Sequence, residues 1–244
     1  MLCTGARPSI PPIDGLADVD YLTYETIWGL DELPLRLAVV GGGPIGCEIA
    51  QAFCRLGSSV SLVEGAYRIM LQDEPEAAEV VAQKLVQDGV DLRTNAPLQQ
   101  VEKTAKGVRL YLAGDVQVEV DRVLVCVGRR PLVEGLGLDA ANVNHGRGGI
   151  EVNNHLRTTQ ANIYAAGDCT RGDQFTHYAS YQGFMAVRND FFPSTRNLYW
   201  NEFPGPLSPT QRWPTSASPK NRQKSAPETR SRLPIGPWTR PTAG

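Results

Sequence analysis

The chain has 244 residues, of which 41% are hydrophobic, and a formal net charge of -2. This is enough for one or two globular domains with real cores. No apolar run approaches the roughly 20 residues of a membrane span, and the N-terminus lacks a signal-peptide pattern, so we expect a cytoplasmic protein without a membrane partner. Its five cysteines form neither a CxxC nor a CxxxxC pair, which argues against a disulfide framework or a zinc site.

A strand, a helix and a second strand are predicted at the start of the main body. The apolar runs Leu35–Val40 and Ser58–Glu64 are typical of buried parallel strands. The helix between them should begin near Pro44, run to Leu56 and end at Gly57 in a left-handed conformation. This order, within about 30 residues, predicts a right-handed βαβ unit.

A second helix, a meander and a return to the sheet are predicted next. The helix covers residues 73–89, with Asp73 as its cap and Pro75 in its first turn, and a short third strand follows it. Residues 97–120 alternate with period two, which predicts an antiparallel meander. The apolar run Arg122–Gly128 then predicts another strand of the parallel sheet. The pattern as a whole predicts a Rossmann-like α/β fold with a parallel sheet and a β-meander.

A glycine motif lies between the first strand and the first helix. Gly41, Gly43 and Gly46 form GxGxxG: the first allows the tight turn, the second allows a pyrophosphate to approach, and the third allows helix and strand to pack. The helix N-terminus, with Pro44 and Ile45, would hold the phosphates through its free N–H groups and its dipole. The motif in this context predicts a dinucleotide-binding turn.

Two carboxylates are candidate ligand contacts. Glu64 ends the second strand, where a carboxylate accepts hydrogen bonds from the adenosine ribose, and this favours NAD because a 2′-phosphate would be repelled. Arg68 could partly offset that repulsion. The alternative interpretation is a glycine-rich turn beside a merely solvated Glu64. Glu48 either complements the helix dipole or contacts the nicotinamide side.

Three motifs follow one another along the chain: VVGGGPIGCEIA, VCVGRRPLVEGLGL and IEVNNHLRTTQANIYAAGDCT. Their order and spacing resemble those of the class I pyridine nucleotide-disulfide oxidoreductases. The resemblance covers about residues 3–189 and is to the part of the family that includes dihydrolipoamide dehydrogenase and mercuric reductase. The segment FTHYASYQGFMAVRN resembles the mercuric-reductase-like branch most. It implies an oxidoreductase that uses FAD and NAD(P)H and passes hydride from nicotinamide to flavin and on to a disulfide or a metal ion. Members of the family are homodimers.

The resemblance also implies positions on the flavin side. Thr4, Gly5 and Gly167 would lie beside FAD, and Asp168 would hydrogen-bond its ribityl chain or diphosphate. Alternatively, or in addition, Asp168 caps the helix that follows it. Gly128 and Arg129 would lie near the interface of the two dinucleotide regions.

The residues from 199 onward differ in composition from the rest of the chain. They include seven Lys or Arg, two Asp or Glu, and half of the 18 prolines, which predicts disorder. The irregular spacing of charges and aromatic residues argues against a nucleic-acid partner. The expected domain organisation therefore has four parts: 1–33 (remnant of a FAD-binding domain and crossover), 34–128 (NAD(P)-binding domain), 129–198 (return segment of the FAD-binding domain) and 199–244 (disordered, Pro-rich, basic tail).

Several parts of the family pattern have no counterpart in this sequence: the flavin GxGxxG, the redox CxxxxC and the His-Glu pair of the interface domain. Cys47 and Cys54 cannot replace the CxxxxC, because seven residues of helix separate them by about 10 Å. The three histidines are interpreted as loop or packing residues. No catalytic residue is therefore assigned, and we expect an incomplete form. The alternative is a dinucleotide-binding module without turnover, and flavin absorbance would distinguish the two.

The tail is hypothesised to be a frameshift product. A reading frame shifted at Asn201 is compatible with the start of the family's interface domain. Sequencing the gene tests this hypothesis, which fails if no single-base shift restores that frame.

Overall fold

A computed structural model describes residues 1–172 and 174–192, so the tail predicted to be disordered, 199–244, lies outside the described residues. Within those ranges, none of the helices has the length and apolar character that crossing a membrane requires. The elements are β1 (Ala6–Pro8), β2 (Arg36–Val40), α1 (Pro44–Leu56), β3 (Ser59–Val63), α2 (Pro75–Gln87), β4 (Asp91–Arg93), β5 (Leu98–Thr104), β6 (Gly107–Leu112), β7 (Val116–Val120), β8 (Arg122–Val125), β9 (Arg129–Pro131), β10 (His145–Gly146), β11 (Gly149–Ile150) and α3 (Thr176–Phe191).

The predicted parallel sheet is confirmed. Its four strands lie in the order β4-β3-β2-β8, and each neighbouring pair is parallel. The predicted bounds of α1 are also correct: Pro44 is its first residue and Gly57 follows its last residue with a φ of 109°. A glycine is favoured there because a side chain is strained in the left-handed region.

The meander covers one face of the sheet and the helices cover the other. Strands β5, β6 and β7 form the predicted antiparallel meander. Along β2, Leu37 and Val39 belong to the core cluster with α1 and α2, while Ala38 and Val40 belong to the cluster with the meander. This alternation is the period-two geometry of a strand buried on both faces. The domain therefore has three layers.

The N-terminus of α2 differs from the prediction. The cap position is Glu74, not Asp73, and it makes no side-chain capping hydrogen bond. Pro75 is the first helical residue, as predicted, because proline needs no N–H partner at this position.

Residues that precede β2 complete both core clusters. Leu16 and Val19 pack with the meander, whereas Leu22 and Ile27 pack with the helices. The backbone of Leu22 also pairs with β8: its N–H donates to Val123 at 2.7 Å. The sequence pattern did not indicate this packing, and the predicted boundary at residue 34 stays a prediction.

The remaining described residues form a second, smaller group of elements. β1 pairs antiparallel with β9, and β10 pairs with β11. Leu2 bridges to Ala165, so the first residues of the chain join the segment that follows β11. Two further apolar clusters, one around Ile150 and one around Tyr164, form the core of this group.

We predict that the segment before β2 is energetically part of the main core. Ile27 is 2% exposed and its neighbour Trp28 is 75% exposed. Ile27→Ala should lower the free energy of unfolding by about 2 to 5 kcal/mol, because it leaves a cavity in the cluster. Trp28→Ala, the matched control, should change it by less than about 0.5 kcal/mol. Urea unfolding of the two variants measures this, and equal effects would contradict the packing.

Candidate dinucleotide-binding cleft

A cleft of about 1010 Å³ lies where β2, β3 and β8 end. In open parallel sheets, ligands bind beyond the carboxyl ends of the strands. The cleft brings together seven of the residues that the sequence analysis selected. They are Gly41, Gly43, Pro44, Ile45, Glu48, Glu64 and Gly128.

The three motif glycines meet different surroundings. At Gly41, φ is 110° and a Cβ would collide with the carbonyl oxygen of Cys126. A Cβ at Gly46 would collide with the carbonyl oxygen of Gly41, so α1 can lie this close to β2 only with glycine there. Gly43 has φ of -73°, and its Cβ would meet no atom within 4 Å. The first and third glycines are thus required by packing, while the second borders open space.

The N-terminus of α1 points its backbone donors at this cleft. Gly43 is its N-cap and makes no side-chain capping hydrogen bond. The N–H groups of the first turn have no acceptor inside a helix, and together with the dipole they favour an anion. Glu48 is the fifth residue of α1 and lines the cleft.

Glu64 braces the glycine turn. Its Oε2 accepts a hydrogen bond from the Gly42 N–H at 2.6 Å, and its Oε1 accepts one from the Ala66 N–H at 2.8 Å. The interpretation of Glu64 as a merely solvated side chain is therefore wrong. Each carboxylate oxygen has a second lone pair, which leaves acceptor capacity for ligand hydroxyl groups.

The four flavin-side positions do not line the cleft. The Thr4 hydroxyl donates to the Leu132 carbonyl at 2.6 Å, and Gly5, with φ of 75°, precedes the β1–β9 pair. The Gly167 N–H donates to the Gln182 side chain at 2.7 Å. Asp168 does not cap the helix that follows, because α3 begins at Thr176 with Phe175 as its N-cap.

Asp168 instead forms an ion pair with Arg129. The Arg129 Nη2 lies 2.5 Å from the Asp168 Oδ2, and both side chains are mostly buried. Its Nη1 donates to the Gln174 carbonyl at 3.2 Å, and its Nε donates to the Tyr24 hydroxyl at 3.3 Å. Arg129 also lines the cleft. It therefore joins the cleft to the flavin-side segment.

Several lining residues were not predicted to belong to the site. Tyr24 lies outside the segment predicted for this domain, and Met70 has no motif of its own. Both side chains reach the cleft only through the fold, so local pattern carried no signal for them. Cys126 lies within the motif VCVGRRPLVEGLGL, which gave it no role of its own. The lining residues without a predicted role include Tyr24, Met70, Cys126 and Gln174.

The cleft offers no reactive thiol or imidazole among the described residues. Burial raises the pKa of the Cys126 thiol to about 12. The pKa of the Cys47 thiol is also raised to about 12, mainly by burial and to a smaller extent by nearby carboxylates. Both thiols therefore stay protonated at neutral pH. All five cysteines are free. None of the three histidines lines the cleft, and no metal-binding cluster occurs in the described ranges.

Residues 1–183 match the pyridine nucleotide-disulphide oxidoreductase family. The chain belongs to this family. Its members are FAD- and NAD(P)H-dependent oxidoreductases with Rossmann-type dinucleotide-binding folds, so the predicted family and fold class are confirmed.

Two curated relatives and one solved structure illustrate the likeness. Mercuric reductase of Staphylococcus aureus is 37% identical over 209 residues, which cover 84% of this chain and 38% of that protein. Dihydrolipoyl dehydrogenase of Bacillus subtilis (strain 168) is 36% identical, over 83% of this chain and 44% of that protein. The HOCl-induced flavoprotein disulfide reductase RclA of Escherichia coli, in its Cu(II) complex, superposes with a TM-score of 0.76 at 30% identity, over 80% of this chain and 46% of that one. The chain thus spans less than half the length of each.

We predict that substitution of Gly46 destabilises the fold much more than substitution of Gly43. Gly46→Ala should lower the free energy of unfolding by about 1 to 3 kcal/mol or more, because its Cβ has no room beside the Gly41 carbonyl. Gly43→Ala should change it by less than about 1 kcal/mol, since the new methyl group meets open space. Urea denaturation of both variants compares the effects. A large loss for Gly43→Ala would show that this position is not open.

Proposed function

We propose that this chain binds NADH, in preference to NADPH, in the cleft. The pyrophosphate would lie at the turn from Gly41 to Gly46, and the adenosine ribose would lie at Glu64. The observation that carries the proposal is the open space at Gly43, beside the helix N-terminus. A phosphate needs close access to backbone N–H groups, and this is the glycine where a side chain would obstruct it.

The charge distribution supports the preference for NADH. Among the lining residues of the described ranges, Arg129 is the basic one, whereas Glu48, Glu64 and Asp73 are acidic. A carboxylate suits ribose hydroxyl groups and repels a 2′-phosphate. Among residues 1–172 and 174–192, no basic side chain lines the cleft beside Glu64 to offset that repulsion.

For the whole protein we propose an FAD-dependent NAD(P)H oxidoreductase of the mercuric reductase and dihydrolipoyl dehydrogenase type, cytoplasmic, homodimeric, and without a nucleic-acid or membrane partner. The names of the relatives support this class. Bound nicotinamide would supply a hydride. The described residues would bind and orient it, and the electron acceptor is left open.

A second candidate is a dinucleotide-binding module without turnover, and one observation favours it. The flavin-side groups have internal partners: Thr4 bonds Leu132, and Asp168 pairs with Arg129. They fit a flavin poorly as they stand, so we assign no flavin step to them. Visible flavin absorbance of the purified chain would distinguish the enzyme from the module.

The first test of the proposal is the NADH affinity of Gly43→Ala. The added methyl group blocks the approach of the pyrophosphate, so NADH should bind about tenfold more weakly or worse, a loss of about 1.4 kcal/mol. Isothermal titration calorimetry on the full chain measures the dissociation constant. Gly146→Ala is the matched control, because it also has no atom within 4 Å of its Cβ but lies outside the cleft. Equal affinities of the two variants would contradict the proposed site.

The second test concerns the choice between NADH and NADPH. Glu64→Gln removes the negative charge and keeps an oxygen that can accept the Gly42 N–H. The ratio of NADPH to NADH dissociation constants should therefore fall, by about tenfold if the charge contributes about 1.4 kcal/mol. Glu64→Ala is a poorer variant because it also leaves two backbone donors unpaired. An unchanged ratio in Glu64→Gln would show that Glu64 does not face the ribose.

A further inference from the structure

The segment between β3 and α2 forms one wall of the cleft. We call residues 69–73 the wall loop. Ile69 and Met70 are buried, at 1% and 4% exposure, and the loop lines the cleft from Met70 to Asp73. Its position therefore sets the width of the proposed adenosine end.

The wall loop is connected to the glycine turn. The Met70 N–H donates to the Gly42 carbonyl at 2.8 Å, and Ile69 packs so closely that a Cβ at Gly42 would lie 2.7 Å from its Cγ2. Met70 has a φ of 51°, a conformation that non-glycine residues rarely adopt and that surrounding contacts must maintain. The loop thus needs an anchor.

Arg68 supplies that anchor through its whole guanidinium group. An arginine side chain has five N–H donors and no acceptor. Arg68 makes five hydrogen bonds, and four of them go to carbonyl oxygens of the wall loop. They run from Nη1 to Ile69 (3.3 Å) and Met70 (2.6 Å), from Nη2 to Leu71 (3.0 Å) and Asp73 (3.0 Å), and from Nε to the Tyr67 hydroxyl (3.4 Å).

We propose that Arg68 is a positioning residue for dinucleotide binding: it holds the wall loop against the glycine turn and so shapes the adenosine end of the cleft. This inference rests on the proposed function for the identity of the ligand. The rigid planar fork of a guanidinium spans several acceptors at once, whereas the ammonium of a lysine has three donors on one atom. Lysine therefore keeps the charge but cannot hold the loop.

The same geometry gives Arg68 no role in binding a 2′-phosphate. All five of its donors are engaged by the chain itself. The expectation that Arg68 offsets the repulsion between Glu64 and NADPH is therefore not met in this conformation. Loss of the guanidinium should weaken the binding of NADH and of NADPH to the same extent.

The test compares Arg68→Lys with wild type in the full 244-residue chain. NADH and ADP-ribose should both bind about tenfold more weakly to the variant. The ratio of NADPH to NADH dissociation constants should stay unchanged. Arg109→Lys is the matched control, because the Arg109 guanidinium is also hydrogen-bonded but lies on the meander, outside the cleft. It should bind all three ligands as wild type does.

Hydrogen exchange gives a readout that needs no ligand. The Met70 amide donates to the Gly42 carbonyl, and the Asp73 amide donates to the Met70 carbonyl. In Arg68→Lys both amides should exchange faster, while the meander amides stay as protected as in wild type. Unchanged exchange at both amides would overturn the inference, and so would weakened binding of NADPH alone. Faster exchange together with unchanged NADH affinity would also overturn it. If wild type binds neither NADH nor ADP-ribose, the proposed function fails, and exchange still decides whether Arg68 holds the loop.

Discussion

The rest of the site depends on the close approach of α1 to the end of β2. Gly46 lies directly against the Gly41 carbonyl, and any side chain there would push the helix away from the sheet. This contact fixes where the helix N-terminus points. Glu64 and the wall loop then attach to the intervening Gly42 from opposite directions, through its N–H and its carbonyl. One short turn therefore joins strand, helix, carboxylate and loop, and it offers a ligand backbone groups rather than flexible side chains.

Much of the fold could be predicted because its signals are local. The apolar run of β2, Pro44 at the start of α1, Gly57 after its end and the period-two meander are each determined by neighbours in sequence. The glycine motif was informative for the same reason. Its three positions serve a strand, a turn and a helix that follow one another without a break.

The features that were missed depend on contacts between distant parts of the chain. Glu64 bonds a backbone group 22 residues away, which no spacing rule indicates. Ile27 joins a core whose strands begin only after it in the chain. Arg68 was expected to offset the repulsion of a 2′-phosphate, whereas its guanidinium engages carbonyl groups that converge when Met70 adopts a left-handed conformation. The cap of α2 was misplaced by one residue, since Asp is a preferred N-cap residue and Glu is not, while the structure has Glu74 at this position.

The pairing of β1 with β9 has a consequence for how such a protein is assembled. The chain enters the three-layer domain after β1 and leaves it at β9, and the two strands are hydrogen-bonded side by side. The segments that lead into and out of the three-layer part of the fold therefore lie side by side. A unit with adjacent ends can be spliced into a host fold, or removed from it, without stretching either partner.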